Sequence, residues 1–190
     1  MSRKILLLTG DGGDSYEALY AYQRFLEARW EPIVAGPSRR RLHLLLHDRE
    51  PGWSTYVERQ GLGLDADVAI TAVAAKEFAA LFIVGGRAPE YLRNDPSVLS
   101  LVREFARQDK CICAVGHGVQ LLTAAGVVKG KTLTAHEHVQ IEVETGGGSY
   151  VYKPAVRDGK LITGQTWRSH PEFYREVFAC LGEIARAAGS

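Results

Sequence analysis

The sequence predicts an α/β fold built on a doubly wound parallel sheet flanked by helices. Three observations predict it. Four short apolar runs, Ile5–Leu8, Pro32–Ala35, Ala80–Val84 and Cys111–Val115, alternate with helix-like segments. Each run is closed by glycine: Gly10, Gly36, Gly85-Gly86 and Gly116. Cys111–Val115 is apolar throughout, which suits a central parallel strand buried on both faces. Alternating strands and helices with short connections pack as helices on the two sides of a parallel sheet.

The elements follow in order. Ile5–Leu8 ends in a glycine-rich turn, and a helix is expected from about Ser15 to Ala28, with Leu19, Tyr22 and Phe25 or Leu26 at helical spacing. Pro32–Ala35 is the next strand. Residues 38 to 67 read as an excursion with a small hairpin, marked by Pro51-Gly52, Gly61 and Gly63. A short element from Lys76 leads into the strand Ala80–Val84. A helix from about Pro96 to Gln108 starts at Asp95-Pro96. After the strand Cys111–Val115, a helix runs through Gln120 to Ala125 and stops at Gly126. Strand-like segments are then expected near Thr132–Ala135, Val139–Val143, Val156 and Leu161–Thr163, with a last helix from about Pro171 to Ala188.

The 190 residues are enough for one substantial core, so residues 1–190 are read as a single domain. A net charge of +1 argues against general attraction to nucleic acid or anionic membrane. The run Arg39-Arg40-Arg41 reads as a solvated turn rather than a phosphate site. No apolar stretch approaches the ~20 residues that cross a bilayer, and the N-terminal residues lack the pattern of a signal peptide. A cytoplasmic location is the expectation. Cys111, Cys113 and Cys180 fit a reducing compartment as free, mostly buried thiols.

The chemistry is carried by Cys111-Ile112-Cys113-Ala114-Val115-Gly116-His117-Gly118-Val119-Gln120. A buried strand, a sharp glycine-flanked turn and a helix start form a nucleophile elbow, which projects one position at the carboxyl end of the strand. This segment resembles the elbow of the ThiJ/PfpI superfamily, which has the flavodoxin-like, class I glutamine amidotransferase-like fold; the resemblance is nearest to the glyoxalase III and intracellular protease I branch. Gly85-Gly86-Arg87-Ala88-Pro89-Glu90, Ala124-Ala125-Gly126-Val127-Val128, Asp158-Gly159-Lys160-Leu161 and His170-Pro171-Glu172-Phe173 resemble further family segments in the right order. The resemblance implies that the position of the nucleophilic cysteine is Gly116. It implies a helical glutamate at Glu17, a histidine at His117 and oxyanion donors in the N–H groups of Gly86 and His117. Gly85, Arg87, Gly118, Trp167 and His170 complete the expected pocket.

Glycine has no nucleophile to activate, yet it suits a strained elbow backbone. Cys113 lies three residues upstream and reads as an inert buried thiol. Glu17 is either a solvated helix-face carboxylate or a buried acid beneath the elbow, able to serve as a base on water or substrate. His117 either orients a ligand or packs at the turn. His136 and His138 would share one face of a strand, a weak metal signal without a third ligand. His47-Asp48 matches a pair in the glyoxalase III branch and is expected to border the pocket. Gly146-Gly147-Gly148 lacks the strand–turn–helix context of a phosphate loop. No cofactor and no metal are expected.

Three functions remain open on this reading. The first is a protein without the cysteine nucleophile that binds a small carbonyl or carboxylate compound. The second is a cysteine-independent enzyme using Glu17 and His117, glyoxalase-, deglycase- or hydratase-like. The third is an interaction protein with a vestigial pocket. The resemblance also implies a homo-oligomer.

Overall fold

The computed structural model describes residues 2–189. In chain order the first half contains β1 (Lys4–Leu8), α1 (Ser15–Glu27), β2 (Glu31–Gly36), β3 (Arg41–Leu42), β4 (Leu45–Asp48), β5 (Val57–Gln60), β6 (Leu64–Asp65), β7 (Val68–Ala69) and β8 (Ala80–Ile83). Then follow α2 (Ala88–Leu92), α3 (Pro96–Arg107), β9 (Cys111–Val115), α4 (Val119–Ala125), β10 (Thr132–Leu133) and α5 (Gln140–Thr145). The chain closes with β11 (Ser149–Tyr150), β12 (Ala155–Asp158), β13 (Leu161–Gly164) and α6 (His170–Gly189).

The main sheet has seven strands in the order β12-β13-β9-β8-β1-β2-β7. Its neighbours are parallel except at the edge, where β12 and β13 are antiparallel. Side chains alternate across it, as the pleat demands. Leu6 and Leu8 enter the core shared with α3 and α4, whereas Ile5 and Leu7 enter the core shared with α1 and α6. All five residues of β9 are buried, as expected of a central strand covered on both faces.

Register places the site. Leu8 pairs with Ala35 and Ile83, Ile83 pairs with Ala114, and Val115 pairs with Gly164. The turns after β1, β8, β9 and β13 therefore emerge side by side at the carboxyl end of the sheet. Strand order reverses between β1 and β8, the switch point where open α/β sheets form their crevice.

The expected hairpin in residues 38 to 67 is two nested antiparallel pairs, β3 with β6 and β4 with β5. It docks on the turn after β1 through Gly12 N–H to His43 O (2.8 Å) and Leu45 N–H to Gly13 O (2.9 Å). Within that excursion Arg40 pairs with Asp11 and Arg41 with Asp65, so two of the three arginines make surface ion pairs.

One expected strand is a helix. Residues 139 to 143 form the end of a 3₁₀ turn, Glu137–Val139, and the start of α5. The alternation of Val139, Ile141 and Val143 resembles a strand, but only Val139 and Val143 are buried, while Ile141 is 70% exposed. Spacing of four along one face is the helical period. Consequently His136 and His138 do not share a strand face: His136 precedes the 3₁₀ turn and its Nδ1 accepts the His138 N–H at 3.1 Å. No helix among the described residues is long and apolar enough to cross a membrane.

Candidate active site

The elbow forms as its sequence demands. β9 ends at Val115, and Gly116 turns the chain at φ +56°, opening a 3₁₀ turn over Gly116–Gly118 that leads into α4. A Cβ built on Gly116 meets only Gln165 O and Glu17 Oε1, each at 3.5 Å, which is ordinary contact. The neighbouring glycines are different. A Cβ on Gly118 would lie 2.8 Å from Ile83 O, so glycine there lets the elbow turn press against β8. A Cβ on Gly85 would lie 2.7 Å from Glu17 Oε2 and 2.8 Å from Val115 O.

Glu17 resolves to the buried alternative. It sits in the first turn of α1, 3% exposed, and its Oε2 accepts the Gly85 N–H at 2.8 Å. Burial, reinforced by the nearby Asp14 carboxyl, pushes its proton affinity well above that of an ordinary glutamate; the Gly85 N–H opposes this in part. Oε2 is held by Gly85, which leaves Oε1, the oxygen beside the Cβ position at Gly116, to carry a proton on the acid.

Gly86, at φ +77°, faces Gly13 in an isolated antiparallel bridge. That bridge uses Asp14 N–H to Gly85 O and Arg87 N–H to Gly12 O, leaving the Gly86 N–H outside both bonds. Gly86, Gly116 and His117 line one cavity of about 480 Å³ together with Glu17, Arg87 and Trp167. Gly85 and Gly118 lie beneath it as packing positions. His170 does not line it: the ring is 3% exposed and stacks on Tyr20 at 4.6 Å. Burial drops its pKa to about 4.

The excursion supplies the opposite wall. Asp14 caps α1, its Oδ1 accepting the Glu17 N–H at 2.8 Å. Its Oδ2 lies 2.9 Å from His47 Nδ1, so the histidine pairs with Asp14 and not with its sequence neighbour Asp48. Glu58 lies beyond, its Oε1 3.5 Å from His47 Nε2, and is shared with Arg87 at 3.3 Å. Tyr56 hydroxyl contacts His136 Nε2 at 3.1 Å, and the His136 ring stacks on His117 at 4.7 Å. Burial, with His117 adjacent, lowers the His136 pKa to about 3. Burial also lowers that of His117. Both imidazoles are therefore neutral near pH 7.

The sequence reading did not single out Asp14, Tyr56, Glu58, Glu90 or Gln165, all of which reach this cavity. Asp14 carried a local signal as an aspartate one residue before a helix start, and Glu90 lay in the Gly85–Glu90 segment that resembles the family. Among the described residues no group of three or more His, Cys, Asp or Glu is placed to hold a metal. Both His136 nitrogens are already engaged, by the His138 N–H and Tyr56.

Compared with known proteins, the sequence matches the DJ-1/PfpI family over residues 3–179. It is 35% identical over 188 residues to protein DJ-1 homolog D of Arabidopsis thaliana, a match spanning 95% of this chain and 48% of that protein. The chain thus spans about half the length of the plant relative. It is 30% identical over 183 residues to protein/nucleic acid deglycase 2 of Escherichia coli, covering 96% of this chain and 99% of that one. Among solved structures, a ThiJ/PfpI domain protein from Brachyspira murdochii superposes with a TM-score of 0.84 at 20% identity, over 96% of this chain and 98% of that one.

Proposed function

The chain belongs to the DJ-1/PfpI family, and on that premise we propose that it binds a small carbonyl or carboxylate compound in the elbow cavity and lacks the family's cysteine-dependent chemistry. The observation that carries this reading is the seat at Gly116. Its backbone is in the left-handed region at φ +56°, and a Cβ there would meet nothing closer than 3.5 Å, with Glu17 Oε1 as one of the two contacts. The seat has the shape of a nucleophile position with no nucleophile on it. The surrounding acid, the N–H groups of Gly86 and His117, and Arg87 are a donor set suited to a polarised carbonyl or a carboxylate. The deglycase activity named for the E. coli relative is, for this chain, the activity that a thiol at position 116 would restore.

Calorimetric titration of the purified protein with methylglyoxal, glyoxylate and pyruvate tests the reading. Saturable binding to at least one, weakened in Glu17→Gln, is expected, together with methylglyoxal turnover gained in Gly116→Cys. A wild type that binds none of them, with an inert Gly116→Cys variant of native stability, would end it. We further read the protein as a cytoplasmic homo-oligomer; sedimentation velocity giving a monomer at micromolar concentration would remove the second half of that statement.

A further inference from the structure

The excursion puts an acid–base pair into the cavity that owes nothing to the elbow residue. His47 is 8% exposed and Asp14 is 2% exposed, so their 2.9 Å contact is made away from water. Asp14 has no other role that would turn its Oδ2 toward the imidazole, because Oδ1 alone caps α1. A carboxylate accepting from Nδ1–H fixes the tautomer, and the neutral ring then carries its lone pair on Nε2. That nitrogen is buried and has no hydrogen-bond partner. The nearest carboxylate, on Glu58, stands 3.5 Å off and is drawn toward Arg87. A buried, unpartnered base is costly to keep, and this one belongs to a residue lining the same cavity as Glu17 and Gly116.

We propose that His47, oriented by Asp14, is a general base that removes the proton α to the carbonyl of a small α-hydroxycarbonyl compound, with Glu17 as the matching acid. The step balances without any further reactant. His47 Nε2 takes the Cα proton, the C–H pair becomes the C=C bond of an enediol, and the carbonyl π pair takes the proton of Glu17 Oε1. Collapse of the enediol reverses both transfers, returning the proton to the original carbon or to its neighbour. The chemistry is therefore enolisation and ketol isomerisation, and no thiol enters it. A buried carboxyl and an imidazole with an unpartnered nitrogen in one cavity form the arrangement that proton shuttling requires. His117 is the weaker candidate for this base, because its ring is stacked against His136 and is held neutral by burial rather than oriented by a carboxylate. His47 is the catalytic residue of the proposal and Asp14 a positioning residue. The inference rests on the cavity being a carbonyl site.

The test is exchange of the α protons of hydroxyacetone in D₂O, followed by proton NMR, with calorimetric binding of the same compound measured alongside. Wild type should exchange the protons well above the buffer rate, and general-base removal is worth ~10²–10⁴-fold. His47→Gln, which keeps a donor toward Asp14, should lose about 100-fold or more in kcat with KM within threefold. Imidazole added to His47→Ala should restore part of the rate, which a structural role would not allow. Asp14→Asn keeps the helix cap but should lower kcat and shift its pH profile. Binding without exchange, or exchange unchanged in both His47 variants, overturns the proposal and leaves the pocket reading intact. Neither binding nor exchange overturns both.

Discussion

Alanine at Gly116 and alanine at Gly86 should have very different consequences, although each glycine has a left-handed backbone. At Gly116, φ is +56° and an added Cβ finds its nearest neighbours at 3.5 Å. The cost is then conformational alone, about 1–2 kcal/mol for a non-glycine residue in that region. The lower entropy of the unfolded alanine chain offsets about 0.4–1 kcal/mol of it. The net is about 1 kcal/mol, a fall in Tm of ~2–4 °C for a chain of this size. At Gly86, φ is +77° and the Cβ would lie 2.4 Å from Asp14 N, 2.7 Å from Gly12 O and 2.9 Å from Gly13 C. These are backbone atoms held by the Gly13–Gly86 bridge, so the two turns that follow β1 and β8 must part. A loss of about 4 kcal/mol or more is expected, in the range reserved for broken packing. Urea unfolding followed by circular dichroism measures both variants. Should Gly116→Ala fall as far as Gly86→Ala, the open seat at the elbow does not exist and the reasoning from it fails.

Glu17→Gln should change how stability varies with pH. The folded state holds the Glu17 proton more tightly than the unfolded chain does, so its contribution is complete below the ordinary glutamate range and is lost as pH rises through the raised value. The wild-type urea midpoint should therefore decline with rising pH by an amount that Glu17→Gln abolishes, and parallel profiles for the two proteins would contradict the buried acid. Val143→Ala should cost about 2 kcal/mol, from two buried methyl groups and the space they leave. Ile141→Ala, at 70% exposure, should stay within about 0.5 kcal/mol. Equal losses at the two positions would restore the strand period.

Much of the frame was legible because its signals are local. Cys111–Val115 is apolar without a break, and its strand bounds agree with the expectation to the residue. Gly126 ends α4 at φ +74°, and Asp95 caps α3 through the Ser97 N–H, as their residue types suggest. The failure at Val139–Val143 is instructive. Three β-branched residues at alternate positions carry a strand pattern over five residues, too short a window to separate a period of 2 from a period of 3.6. Tertiary contact decided it, by burying Val139 and Val143 and leaving Ile141 out. The Asp14–His47 pair was illegible for another reason. The two residues are 33 apart in sequence, and what joins them is the docking of the excursion on the turn after β1, including a lone bridge between Asp14 and Leu45. No periodicity encodes such a contact. His47 drew attention through Asp48, yet its carboxylate partner comes from the far side of the turn.

Keeping this cavity costs stability, which the proposed thiol-free proton transfer would explain. Glu17 is 3% exposed and accepts one hydrogen bond, from the Gly85 N–H. A buried carboxyl with a single hydrogen bond is less favourable than an apolar side chain of similar size. Gly85 must remain glycine because Glu17 Oε2 and Val115 O occupy the space of its Cβ. His47 Nε2, buried and unpartnered, adds a second penalty. If the elbow residue were the sole source of chemistry, its replacement by glycine would leave these groups with nothing to serve, and apolar residues in their places would give a more stable protein. Their joint presence around an open seat fits the proposed proton transfer, in which the acid and the base, rather than a nucleophile, carry the reaction.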